Sequence, residues 1–277
     1  MLAAISFPVL TMKLTFKIIV LLALVGLLGA CSEHKPLTSI ATNGGLSPKV
    51  NPSRKTYVSH PPRALGQWTV ADIVQDYSVT TTGKLTPYFV KAKVSYPPTE
   101  VTFVALKKEK KLELWARDSG EFRFIRHYNI KASSGVAGPK LRQGDKQVPE
   151  GVYRIAGLNP NSHYHLSMKI NYPNEFDRFH AEQEGRTAPG SDIFIHGKAV
   201  SIGCLAMGDE AIEELFVLAA QVGAENVKVV IAPHDPRVYP LKADAKTLPK
   251  WTSALYSIIS REIDVLSSED MPVKAGL

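Results

Sequence analysis

The chain has 277 residues, 44% of them apolar. That is enough for one large or two ordinary domains with a real core, and it excludes a fibrous, a wholly disordered or a multi-span membrane protein. The formal net charge of +7 raises the question of nucleic acid, but residues 1–65 carry seven basic residues against Glu33 alone, leaving one net positive charge from Gly66 onward. A body so near neutrality lacks the basic face that phosphate binding needs, and no zinc, homeodomain or RNA-binding signature is present, so no nucleic-acid partner is expected.

At the front, Met12 to Lys17 is a short basic region and Ile18 to Ala30 an apolar run too short to span a bilayer comfortably. The first eleven residues carry no charge, so Met12 makes a better start than Met1. The run closes in Leu28-Gly29-Ala30-Cys31, which resembles a bacterial lipobox. Residues 1–30 are therefore expected to be a signal peptide and Cys31 a lipidated N-terminus, with a plain cleaved signal as the alternative. Ser32, in place of the Asp that marks inner-membrane retention in enteric bacteria, points to the outer membrane of a Gram-negative cell, facing the periplasm. Residues 32–65 hold five prolines, the Gly44-Gly45 pair and no apolar periodicity, and are expected to form a disordered tether. Its reach when extended is about 110 Å. Lipidation of Cys31 leaves Cys204 as the one thiol of the folded body.

Further on, Trp68–Tyr77 and Lys84–Val94 have helical spacing, which predicts a short helical lead-in over 66–100. Alternating or β-branched runs at 101–107, 111–117, 122–131, 151–155, 164–170 and 192–196, bounded by Gly, Pro, Asn and Asp, predict a mostly antiparallel sheet, sandwich or barrel. The segment Lys107-Lys108-Glu109-Lys110-Lys111 reads as a solvated hairpin end. A helix is predicted over Asp209–Val222, with Asp209 as its cap and Gly223 as its stop, then a strand at Val227–Ala232 and a helix over Pro249–Leu266. The fold class is thus mostly β with flanking helices: a catalytic body over 101–235 and a C-terminal helical extension over 236–277.

The chemistry concentrates between Asp192 and Met207. An apolar strand ends in His196-Gly197, and Gly203-Cys204 opens another apolar stretch ahead of a helix. A thiolate is the reactive form of cysteine, and a nearby imidazolium lowers the thiol pKa. Gly203 lets the chain turn sharply and bring amides close to a substrate. On spacing alone, Cys204 reads equally well as a small buried hydrophobe and His196 as a satisfied strand-end histidine. His163 and His165 would share one strand face, but a metal site needs at least one more ligand and none stands at a compelling spacing, so no metal or cofactor is expected.

The ordered blocks around this window tip that balance. Ile195-His196-Gly197 and Ser201-Ile202-Gly203-Cys204, with Gly138-Pro139-Lys140, Gly144-Asp145, Pro149-Glu150-Gly151-Val152-Tyr153 and Asn171-Tyr172-Pro173-Asn174 upstream, resemble the pattern of the L,D-transpeptidase or YkuD family. The resemblance implies a β-sandwich or barrel catalytic domain acting on peptidoglycan stem peptides through an acyl-enzyme. Cys204 would be the nucleophile, His196 the base and later acid, the Gly197 carbonyl the group orienting the imidazole, the Gly203 and Cys204 amides the oxyanion hole, and Ser201 a support. His165, Tyr172 and Asn174 read equally as residues lining the substrate cleft and as a solvated polar face, and His234-Asp235-Pro236-Arg237 reads as a turn from which Arg237 could reach a stem carboxylate.

Three departures stand out: Ile202 replaces a second histidine, Ala206 stands where many relatives have Arg, and the gap from His196 to Cys204 is short. They resemble a YafK-like branch, some members of which hydrolyse the bond between peptidoglycan and an attached outer-membrane lipoprotein. Transfer to an amine, hydrolysis of this kind, and a non-catalytic wall-binding lipoprotein are the three readings that follow.

Overall fold

The computed structural model describes residues 66–266. The signal peptide, Cys31 and the tether expected over 1–65 lie outside the described residues. The helical lead-in is one helix, α1 (Val70–Ala92), where the sequence suggests two. Its start is a reciprocal capping box between Thr69 and Asp72, and it ends at Lys93 in the left-handed conformation, φ 58°. The intervening Val79-Thr80-Thr81-Thr82 is a poor helix former in isolation, but Ile73, Thr81, Leu85 and Phe89 are buried along one side, and tertiary burial overrides propensity.

Among the described residues, nine strands form one mixed sheet. Their spans are β1 (Glu100–Leu106), β2 (Lys111–Arg117), β3 (Arg123–Asn129), β4 (Ala132–Ser133), β5 (Gly151–Ser162), β6 (His165–Ile170), β7 (Phe194–His196), β8 (Leu205–Ala206) and β9 (Val227–Ala232), in the spatial order β3-β2-β1-β9-β5-β6-β7-β8-β4. Pairing is antiparallel except for β1 with β9 and β7 with β8. The expected mostly β architecture with flanking helices is therefore present.

Both faces of the β1–β9 pair are covered, which explains why these two strands read as near-continuous apolar runs. Phe103, Ala105, Val229 and Ile231 point to a core that includes Leu85 and Phe89 of α1 and Ile212, Leu215, Phe216 and Ala219 of α3 (Asp209–Val222). Val104, Leu106, Val230 and Ala232 point the other way, onto Leu255, Tyr256, Ile259 and Ile263 of α4 (Thr252–Asp264). The C-terminal helix is thus a wall of the sheet. A further helix, α2 (Glu175–Gln183), had gone unread although Asn174 and Asp177 form a capping box at its start.

Two local expectations change. The N-cap of α3 is Gly208, with no side-chain bond, and the Asp209 carboxylate instead accepts the Lys198 amide at 2.8 Å. Lys107 is no solvated hairpin residue: it is buried, its ammonium donating to Val136 O (2.7 Å), Val148 O (3.1 Å) and Glu150 Oε1 (2.9 Å). Among the described residues no helix is long and apolar enough to cross a membrane.

Candidate active site

His196 ends β7, which lies between β6 and β8: His196 is in register with Ser167 on one side and with Ala206 on the other. The β7–β8 pair is parallel, so the chain must return to its starting level within the residues between them. It does so through a tight connection that takes Lys198 to φ 55° and Gly203 to φ 128°. Residues in parallel register point to the same face, and so do residues two apart along an extended chain. His196 and Ala206 therefore share one face while Ile195 and Leu205 enter the core on the other, and Cys204 sits in the bend just before β8.

The imidazole is fixed by one short bond. Nδ1 lies 2.6 Å from the Gly197 carbonyl oxygen, and because a carbonyl only accepts, Nδ1 carries the hydrogen and Nε2 is left with its lone pair. Gly197 is itself required by space: a Cβ there would lie 2.6 Å from Tyr164 O and 2.7 Å from the Asp209 carboxylate. Burial lowers the His196 pKa below the usual histidine range, opposed by the Gly197 bond.

The half-buried Cys204 is a free thiol, its Sγ 3.9 Å from Asp192 O. Burial pushes its pKa up, against smaller lowering effects from the Phe194 backbone and the Lys140 ammonium. Both shifts favour the neutral forms of the thiol and the imidazole, where the sequence suggested a thiol held low by an imidazolium. Lys140 is buried, bonded to Arg142 O (2.9 Å) and ion-paired with Asp145. It stood in the sequence only as part of a motif block. Ser201 ties the turn together: its hydroxyl donates to Cys204 O at 2.6 Å and accepts the Cys204 and Gly203 amides at 3.2 and 3.4 Å. In the resting state the amides expected at an oxyanion are thus turned toward Ser201.

The residues expected against substrate have partners within the fold. The His165 imidazole lies 2.9 Å from Glu213 of α3, with its ring edge-on to Tyr77 of α1; His163 falls in the turn before it, so the two do not share a strand face. Tyr172 is buried, its hydroxyl donating to Pro189 O at 2.8 Å. Asn174 caps α2 and donates to Val152 O at 2.9 Å. Arg237 is paired with Asp235 and Glu113. Tyr164, read before only as the start of a strand, instead packs against His196. A cleft of about 960 Å³ between the end of α1 and the β2–β3 hairpin holds neither Cys204 nor His196. Among the described residues no group of three or more His, Cys, Asp or Glu is arranged to hold a metal ion.

Comparison with known proteins places this geometry. Residues 100–231 match the L,D-transpeptidase catalytic domain, YkuD. The chain is 36% identical over 153 residues to YafK of Escherichia coli strain K12, a protein whose name gives L,D-transpeptidase activity as provisional, and equally to its counterpart in strain O157:H7. The match takes in 53% of this chain and spans 60% of the length of these relatives. Among solved structures, similarity extends to the helical cell shape determining protein Pgp2 of Campylobacter jejuni (22% identity, 49% of this chain and 48% of that one, TM-score 0.41). It extends also to Bd1075 of Bdellovibrio bacteriovorus (18%, 61% and 58%, 0.36). The matched residues 100–231, which carry both His196 and Cys204, give this chain an L,D-transpeptidase (YkuD) domain.

Proposed function

We propose that the chain is a cysteine-dependent acyl-transfer enzyme acting on peptidoglycan stem peptides. The observation that carries this reading is the His196 tautomer: with Nδ1–H donated to Gly197 O, Nε2 keeps its lone pair as a base, and the bend that bears Cys204 leads directly into β8, the strand paired with His196. In the proposed cycle Nε2 takes the thiol proton as Sγ attacks the carbonyl carbon of the third stem residue, meso-diaminopimelate by family analogy. The C–N bond to the next residue breaks, and the imidazolium returns its proton to the departing amine. The thioester is then resolved by an amine in transfer or by water in hydrolysis.

One observation favours hydrolysis as a second reading. The connection from His196 to Cys204 is short and Val200 and Ile202 in it are 59% and 75% exposed, so it leaves water access to the thioester. Release of a peptidoglycan-attached lipoprotein is one form this hydrolysis would take. Incubation with purified cross-linked and protein-bearing muropeptides separates the outcomes. New amide links between stems mean transfer and freed tripeptide ends mean hydrolysis. Binding to sacculi without either product would leave a wall-binding module and sink the enzymatic reading.

The location is proposed from the sequence alone: a periplasmic domain tethered to the outer membrane through lipid on Cys31. Labelled palmitate should enter the full chain and be absent from Cys31→Ala; label retained in that variant would refute the anchor.

A further inference from the structure

His196 is only 3% exposed although it ends a strand of three residues and is followed by Lys198, Ala199 and Val200, all exposed. The cover over its ring comes from another element. Tyr164, at the tip of the β5–β6 hairpin, lies against the imidazole with ring centroids 4.6 Å apart and planes inclined by 38°. Tyr164 itself is 39% exposed, so its ring lies between the imidazole and solvent.

The hairpin tip is held to the histidine turn at several points. Lys198 Nζ donates to His163 O at 2.8 Å, Gly197 N donates to Leu166 O at 3.1 Å, and the Tyr164 amide is tied to Ser162 Oγ at 3.1 Å. The His165 pair with Glu213 pins the same tip to α3. The absence of a side chain at Gly197 lets the Tyr164 carbonyl come this close. Such a clamp is more than the packing of a surface tyrosine requires.

We propose that Tyr164 is a positioning residue for His196: its ring covers one face of the imidazole, keeps water off it, and together with the Nδ1–H bond to Gly197 holds Nε2 as the working edge. A single hydrogen bond fixes one atom and leaves the ring free to tilt about it. A second restraint, against the ring face, fixes the plane, and a small misplacement of a base lowers rate steeply. The inference rests on the catalytic reading above for its consequence in turnover, but the covering of the imidazole is measurable without substrate.

The charged groups around His196 stay in place when Tyr164 is changed. These are Lys198 in the turn, Asp209 bonded to its amide, Glu213 with His165, Lys169 with Asp192, and Lys140 near the thiol. Burial, the main cause of the lowered His196 pKa, is what a Tyr164 variant alters. Tyr164→Ala should raise the imidazole pKa toward the ordinary value, whereas Tyr164→Phe and Tyr164→Leu, which keep cover, should not.

The test is an NMR titration of histidine-labelled protein, the His196 signal assigned by its loss in His196→Gln, with circular dichroism as the check of folding. Beside it, turnover of muropeptides by Tyr164→Ala should show kcat down about ten- to a hundredfold with KM little changed, and the acid limb of the pH profile moved upward. Tyr164→Phe should restore both. An unchanged His196 titration in folded Tyr164→Ala overturns the proposal. So does a fall in pKa, which would mean that the ring acts on the imidazolium by cation–π attraction. If Tyr164→Ala does not fold, Tyr164→Leu decides: a kcat equal to wild type with an unmoved titration supports cover by any apolar group, and a raised pKa rejects it. Absence of turnover in the wild type would defeat the catalytic reading and leave the titration result standing.

Discussion

Cys204→Ala should abolish processing of peptidoglycan peptides, lowering turnover by about a thousandfold or more, because in the proposed cycle the acyl-enzyme forms on its sulfur. The thermal midpoint should barely move. The Cys204 side chain is half-buried, outside the main apolar cluster, with its Sγ at the long distance of 3.9 Å from Asp192 O. A variant that still turns over substrate at the wild-type rate would remove Cys204 from the mechanism. The wild-type thiol offers a second reading of the same point. With its pKa raised by burial and that of His196 lowered, alkylation by iodoacetamide should climb only at alkaline pH, with no plateau in the acid range. A plateau between about pH 5 and 8 would instead reveal a preformed thiolate–imidazolium pair. Turnover, which needs His196 unprotonated, should rise with pH through a midpoint below the usual histidine value and then hold, because the thiol proton is removed during attack.

The elements legible in the sequence were those whose own residues carry the pattern. The apolar positions of α3 recur at helical spacing and predict both its ends, and β1 and β9 declare burial on both faces by being apolar over most of their length. What escaped depended on partners far along the chain. α1 runs through a β-branched stretch only because Thr81, Leu85 and Phe89 are buried against the sheet. The strands β4 and β8 have two residues each, and nothing local marks so short a ladder. Lys107 looks solvated among its neighbours, and its acceptors lie 29 to 43 positions away.

The site divides in the same way. His196 and Cys204 were legible as a short gap between two glycine-flanked residues, but the placing of His196 against β8, the strand into which Cys204 leads, follows from the parallel register of β7 and β8, which spacing does not encode. The motif blocks upstream proved to be scaffold in large part. Tyr172 and Asn174 hold loop and helix, and Gln147, between two of those blocks, braces its own loop by donating to Val136 O and Gly138 O at 2.6 Å each. Tyr164 was missed because a tyrosine at a hairpin tip has no signature until the partner ring is known.

The largest stability effect should come from Glu150→Ala. The Glu150 side chain is fully buried and feeds three segments at once. It accepts from Lys107 at the end of β1 (2.9 Å), from the Gly138 amide (2.8 Å) and from Tyr256 of α4 (2.9 Å). Truncating it strands the buried Lys107 ammonium, and breaking such a pair from one side costs about 3–5 kcal/mol. Typical domains have about 5–15 kcal/mol in all, so the variant should sit near the edge of folding, and urea denaturation will measure the loss. Tyr256→Phe removes one bond and should cost about 1–2 kcal/mol. The pH dependence identifies the charge responsible. Burial already lowers the Lys107 pKa, and Glu150 opposes that shift, so its loss lowers the value further. A lysine whose folded pKa lies below its unfolded one penalises folding while charged, and the penalty fades as pH rises from the folded toward the unfolded value. The stability gap between wild type and Glu150→Ala should therefore narrow toward alkaline pH. A gap that stays constant from neutral pH to the lysine range would assign the cost to the lost Gly138 and Tyr256 bonds and clear Lys107. Because a Cβ at Gly203 would stand only 3.6 Å from Gln147 O, in the same loop, partial loosening should reach the thiol before the sheet opens. Faster iodoacetamide labelling of Cys204 in folded Glu150→Ala than in wild type, at equal pH, is the expected sign.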